Sequence, residues 1–173
     1  MRLILAFAIM VLGATAPRAE MPAKLLLSAP EGRMLLEIVI TDPAPGAGAA
    51  RTVRLDEAML RFLPSEAFST STIWTEGVQH FRGVRLRTLM DCLGIRDGVL
   101  TLTAKNEYLV EIPMAELRGD GALVAYERNG RPMETRDKGP LWLVYPYDAD
   151  PAFRTETVYA QSIWQLDRIE VTP

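Results

Sequence analysis

Apolar residues in this chain come in short runs, and each run is soon broken by a turn-forming residue; 12 Gly and 12 Pro supply the breaks. Only Leu86, Leu89, Met90 and Leu93 recur at helical spacing, and Gly94 follows them as a stop. The other runs have strand length: Leu25–Ala29, Leu35–Ile40, Ala67–Trp74, Val99–Thr103, Tyr108–Ile112 and Leu123–Tyr126. Leu141–Tyr145 is almost continuously apolar, the mark of a strand buried on both faces. Ser162–Leu166 and Arg168–Val171 close the chain. Asp56 is placed to cap a short helix over Glu57–Leu63, which Pro64 ends, and Gly83-Val84-Arg85-Leu86 is expected to open the second helix. Met114–Leu117 reads as a single turn after Pro113, Asn106 as a turn between two strands, and Asn129-Gly130 as a type I′ hairpin. Asp42–Ala50 reads as a flexible connection, and Pro146–Thr157, which has no periodicity, as a long surface loop. The expectation is a mixed α+β domain around a β core, with few short helices and no internal repeat.

The N-terminus has a different character. Met1-Arg2 is followed by the uncharged run Leu3–Ala16 and then by Pro17-Arg18-Ala19. A positive start, a short apolar stretch and small residues after it form an export signal, with cleavage expected after Ala19. The run is short for a membrane span of roughly 20 residues. A signal at residues 1–19 leaves residues 20–173 as one exported, periplasmic domain. With Arg2 and Arg18 removed, the excess of 22 acidic over 19 basic residues grows.

Composition excludes several chemistries. No Lys/Arg block marks a nucleic-acid or anionic-membrane surface. One Cys and one His are too few for a zinc ribbon, an iron–sulfur cluster or an internal disulfide. Neither GxxxxGK[ST] nor GxGxxG occurs. Cys92, on the apolar helical stripe, reads as an inert thiol. His80 has no nucleophile in a recognisable elbow, and Asp148 and Asp150 read as a solvated pair.

Polar residues able to read a flat heterocycle lie beside aromatic ones in three places: Ser71–Gly77 around Trp74, Asn106–Tyr108, and Arg136–Trp142 with Ser162–Gln165 further on. An indole face offers stacking worth roughly 1–3 kcal/mol per ring system. The same spacing also suits three tryptophans in an ordinary core, and composition does not choose between the two.

Four segments in order resemble the molybdopterin-binding domain of sulfite oxidases and their bacterial relatives. Phe81–Leu89 is similar to its "G-V-x-L-x-x-L" segment. Ala104–Pro113 followed by Leu123–Met133 resembles its "I-P … L-A-Y-x-x-N-G-x-P-L". Gly139–Pro146 resembles "G-x-P-L-R-L-V-V-P", and Ser162–Ile169 resembles "S-V-K-W-L-x-x-I". The departures are chemical. Trp74 stands where the family's enzymes carry the molybdenum-ligating Cys of "C-x-x-G", Trp164 where they carry a cofactor-contacting Lys, and Trp142 where they carry an Arg. Loss of a thiolate and two cations lowers affinity for an anionic metal–dithiolene group.

This variant looks like small exported bacterial proteins that keep the sulfite-oxidase fold and act as pterin receptors. The resemblance implies a non-catalytic receptor for a reduced pterin such as tetrahydromonapterin, without molybdenum. It also implies a partner, the periplasmic domain of a membrane-bound enzyme of cyclic di-GMP metabolism. The residues expected to bind are Trp74, Thr75, Glu76, Asn106, Tyr108, Arg136, Asp137, Lys138, Ser162 and Trp164. Asp137, then Glu76, is the expected reader of the pyrimidinone edge, and Trp74 or Trp164 the stacking face. The alternatives are a molybdopterin-dependent oxidoreductase and a ligand-free interaction module.

Overall fold

The computed structural model describes residues 29–41 and 50–172. The expected export signal, most of the strand at Leu25–Ala29 and most of the Asp42–Ala50 connection lie outside the described residues.

Among the described residues two five-stranded sheets make up the fold. The first has the order β2-β1-β10-β5-β6, from β1 (Met34–Ile40), β2 (Arg51–Asp56), β5 (Val99–Ala104), β6 (Leu109–Pro113) and β10 (Leu166–Thr172). Its pairs are antiparallel except β1 with β10. The second is antiparallel, with the order β3-β4-β7-β8 and β9 also on β7. It comprises β3 (Ser65–Thr72), β4 (Thr75–Arg85), β7 (Leu123–Arg128), β8 (Arg131–Pro132) and β9 (Trp142–Val144). Among the described residues three short α-helices, α1 (Glu57–Phe62), α2 (Leu86–Cys92) and α3 (Glu156–Gln161), complete it. The mixed, β-dominated architecture matches the expected fold class.

The sheets share a core. Leu36, Ile38, Leu55, Leu100, Leu102 and Ile169 of the first meet Val124 and Leu143 of the second, and Leu141 just before β9, in one cluster. Phe81, Leu123, Ala125, Met133, Trp142 and Val144 form another on the far side of the second sheet. Alternate residues of β7 and β9 therefore enter different clusters, which is why Leu141–Tyr145 is apolar throughout.

Local signals are met where they carry a mechanism. The Asp56 carboxylate accepts from Met59 N at 2.9 Å and Gly32 N at 2.8 Å, so it caps α1 and anchors the incoming chain. The Met59 amide above all holds this carboxyl below its ordinary range. Gly94, at φ +77°, ends α2, and Asn129 and Gly130, at φ 52° and 74°, make the β7–β8 turn.

Four expectations are corrected. Gly83-Val84-Arg85 does not open the helix; it ends β4, paired to Leu123–Ala125, and α2 starts at Leu86. The reason is tertiary: a Cβ on Gly83 would collide with the Val124 carbonyl. Arg85 is buried, donating to Asp120 O at 2.8 Å and to Glu66 Oε2 at 2.9 Å. The expected strand Ala67–Trp74 stops at Thr72, because the Thr72 hydroxyl accepts from Trp74 N at 3.1 Å and turns the chain into β4. Of the closing run Ser162–Leu166 only Leu166 enters a strand, as the first residue of β10, and before it Trp164 makes a single bridge to Trp142. Pro146–Thr157 does run over the surface up to the start of α3 at Glu156, but it is anchored. Tyr147 and Phe153 are buried, and the Asp150 side chain accepts from Ala152 N to cap a 3₁₀ turn at Pro151–Phe153. The pair read as solvated is likewise engaged, Asp148 with Ser71 and Asp150 with Arg118 at 2.9 Å.

Candidate functional site

The sharp turn between β3 and β4 sets Trp74 against the centre of the molecule. Its indole packs against both clusters and stays half-buried. Four rings meet it edge-on: Trp164 at 5.8 Å, Trp142 and Tyr159 at 5.9 Å, and Tyr147 at 6.3 Å between centroids. Perpendicular contacts of this kind match the positive edge of one ring to the negative face of the next, worth about 0.5–1.5 kcal/mol each.

Beside this hub lies a cavity of about 310 Å³ lined by Trp74, Ala104, Asn106, Tyr108, Tyr159, Ala160, Ser162, Ile163 and Trp164. That is the small end of the range of roughly 300–1,000 Å³ for ligand pockets. Three segments supply the walls: the β3–β4 turn, the β5–β6 hairpin, and α3 with the chain that follows it. The Thr155 hydroxyl caps α3 through Val158 N and so presents Tyr159.

The cavity's polar atoms are largely committed. The Ser162 hydroxyl is 2.6 Å from the Tyr147 hydroxyl and donates to Val158 O at 2.7 Å, a buried chain behind the wall. Burial pushes the Tyr147 phenol up to about 12, so it stays protonated. Tyr108 Oη donates to Ala160 O at 3.1 Å, tying hairpin to helix across the mouth. Asn106 Oδ1 accepts from Tyr108 N at 3.3 Å, which leaves the Asn106 amide N–H groups as donors for a guest. No carboxylate, Cys or His is among the lining residues.

Of the ten residues expected to bind, the structure brings together Trp74, Asn106, Tyr108, Ser162 and Trp164. Lys138 stands just behind them, its ammonium 4.2 Å from the centre of the Trp164 ring and 5.4 Å from that of Trp142. Four others lie outside the lining. Thr75 shares a 2.8 Å hydrogen bond with Thr72 inside the turn. Glu76 is exposed, and its carbonyl accepts from the Gln79 amide at 2.7 Å. Asp137 pairs with Arg128 at 2.6 Å, and Arg136 with Glu134 at 2.7 Å, in a separate polar depression. Neither expected carboxylate reader lines the cavity: Asp137 is paired with Arg128, and Glu76 is exposed. Tyr159 was not anticipated; the Thr155 cap, followed by Glu156, was the signal that announces its helix.

A family model described as oxidoreductase molybdopterin binding domain matches residues 56–149. The chain belongs to this family. The match runs from the α1 cap to the residues after β9, taking in the second sheet, α2 and the β5–β6 hairpin. It includes Trp74, Ala104, Asn106 and Tyr108 of the cavity and stops before the wall formed by Tyr159–Trp164. No curated protein matches the chain.

The cofactor named by the family can be set against these residues. Its bicyclic pterin suits an apolar, aromatic-walled cavity with an amide donor at the mouth. Its dithiolene-bound metal and phosphate need a soft anionic ligand and cations. Cys92 is on α2, past the far end of the 11-residue β4 from Trp74. Burial and the neighbouring Asp91 carboxylate push its thiol up, away from the thiolate. The residues fit the ring and do not fit the metal end. Among the described residues no group of three His, Cys, Asp or Glu could hold a metal ion, and no helix is long and apolar enough to cross a membrane.

Proposed function

We propose that this protein is a non-catalytic receptor for a reduced, metal-free pterin of the tetrahydromonapterin kind, held in the aromatic cavity. The observation that carries the reading is that two indoles, Trp74 and Trp164, line the same cavity. The resemblance sets them where the family's enzymes carry the metal-ligating Cys and a cofactor-contacting Lys. Stacking of a flat heterocycle on an indole is worth roughly 1–3 kcal/mol. With the Tyr108 amide fixing its orientation, Asn106 donates to the ligand's ring carbonyl. Backbone carbonyls at the rim, rather than Asp137 or Glu76, accept from its amino group.

The rest of the reading stands on the resemblance. The protein is exported to the periplasm by residues 1–19, and there reports pterin occupancy to the periplasmic domain of a membrane-bound enzyme of cyclic di-GMP metabolism. A ligand moves such an equilibrium only through different contacts in the two states. The Tyr108–Ala160 hydrogen bond, which spans the cavity mouth, is the contact a ligand would alter first.

The test is to purify the protein from a pterin-producing bacterium, extract it, oxidise the extract and read pterin fluorescence. The expected result is stoichiometric pterin from the wild type and none from Trp74→Ala. An extract without pterin, from protein that also binds none when it is added, leaves only the ligand-free interaction module.

A further inference from the structure

The cavity's walls and the nearest charge pull in opposite directions. Trp74, Tyr108, Tyr159 and Trp164 line the cavity, and aromatic faces grouped in this way attract cations, quaternary ammonium groups above all. No carboxylate lines it to hold such a guest, and one cation already stands against its wall. The Lys138 ammonium lies 4.2 Å from the centre of the Trp164 ring and 5.4 Å from that of Trp142, outside the lining itself.

The backbone holds this cation in position. Lys138 O accepts from Gln165 N at 3.1 Å, which ties the residue beside Trp164, and its half-buried side chain leaves a left-handed backbone at φ 64°. The turn around it is closed by Asp137 N and Gly139 N, which donate to Glu134 O at 2.8 and 2.9 Å. Among the described residues Lys138 makes no ion pair. The nearby acids are taken, Asp137 by Arg128, Glu134 by Arg136 and Asp167 by Lys105. An indole has two faces, and the ammonium covers one of those of Trp164. A ring stacked on the other would lie about 8 Å from the ammonium, given a stacking distance of roughly 3.5 Å. Like charges at that range cost from roughly twofold in affinity in water to roughly thirtyfold at the effective dielectric of a protein surface.

We propose that Lys138 selects the charge of the cavity's guest: acting through the Trp164 ring, it disfavours cationic ligands and leaves the aromatic walls to neutral or anionic ones. The cation that four aromatic walls would otherwise recruit from solution is supplied by the chain itself. Lys138 is thus a selecting residue that works from behind the wall, without touching the ligand. The proposal rests on the reading of the cavity as a pterin site and adds to it the charge that the site accepts.

Anaerobic calorimetric titration of the purified protein at neutral pH tests this, with two tetrahydropterins of one shape. One carries a neutral 6-hydroxymethyl group, the other a 6-aminomethyl group that is an ammonium. The wild type should bind the hydroxymethyl compound more tightly by roughly threefold to thirtyfold. Lys138→Met keeps the length of the side chain and removes its charge, and should erase most of that preference; Lys138→Arg should restore it. The ratio of the two affinities is the readout, because a merely structural loss weakens both ligands alike. A wild type that binds both compounds equally, or prefers the ammonium, overturns the proposal and leaves the pterin reading standing. A preference that survives unchanged in Lys138→Met does the same. Binding of neither compound overturns both.

Discussion

Trp142 and Trp164 touch across a single bridge, yet they sit in different worlds. Trp142 is fully buried; its ring meets Phe81 edge-on at 5.4 Å, and its indole N–H donates to Ser162 O at 3.2 Å. Nothing of it remains for a ligand. Trp164 is half-buried, carries the Lys138 ammonium over its ring and lines the cavity together with Trp74. The resemblance sets both tryptophans where the family pattern has a cation. In this structure one of them is core and the other is cavity wall. An indole in an aromatic cluster therefore says nothing about recognition until its exposure and its N–H partner are known.

The contrast can be broken by substitution, and the largest effect belongs to the core member. Trp142→Ala should cost about 3–5 kcal/mol of stability in urea unfolding. Trp74→Ala should reverse that balance. Its pterin affinity in calorimetry should fall roughly ten- to hundredfold, and its stability should fall less than that of Trp142→Ala. Equal stability losses with no change in affinity would make Trp74 a core residue as well.

The wall behind both indoles gives a smaller effect with a pH signature. Tyr147→Phe should cost about 1 kcal/mol near neutrality, since the Ser162 hydroxyl keeps its bond to Val158 O. The folded state holds the Tyr147 phenol protonated up to about 12, against 10.0 when unperturbed. Between those values the unfolded chain loses the proton first, so wild-type stability falls as pH rises above 10. The Phe variant should lose less over that window in pH-dependent thermal melts, although buried Tyr145, raised in the same direction, keeps some of the slope. The smallest effect belongs to the region outside the cavity: Asp137→Asn should leave pterin affinity within about twofold, as surface changes away from a site do.

Much of this could be read from the chain alone where one local rule acts alone. The two-faced burial of Leu141–Tyr145, the Asp56 cap and the Asn129-Gly130 turn follow from pattern, cap and backbone conformation. The first half of β4 could not be read, because Thr75–His80 is largely polar and becomes strand only by pairing with β3. The site was legible in its aromatic members and not in its acidic ones. Lys138 adopts a left-handed conformation at φ 64°, which turns its side chain onto the indoles while Asp137, one residue earlier, faces Arg128. Adjacency in sequence cannot show that reversal. Tyr159 escaped for a related reason: its short helix gains its meaning only when the β5–β6 hairpin arrives beside it.

The most direct test is a calorimetric titration of the purified protein with tetrahydromonapterin, paired with determination of its molybdenum content. A saturable single site on metal-free protein is the predicted result. No heat of binding, together with molybdenum at one atom per chain, would contradict the account at its root.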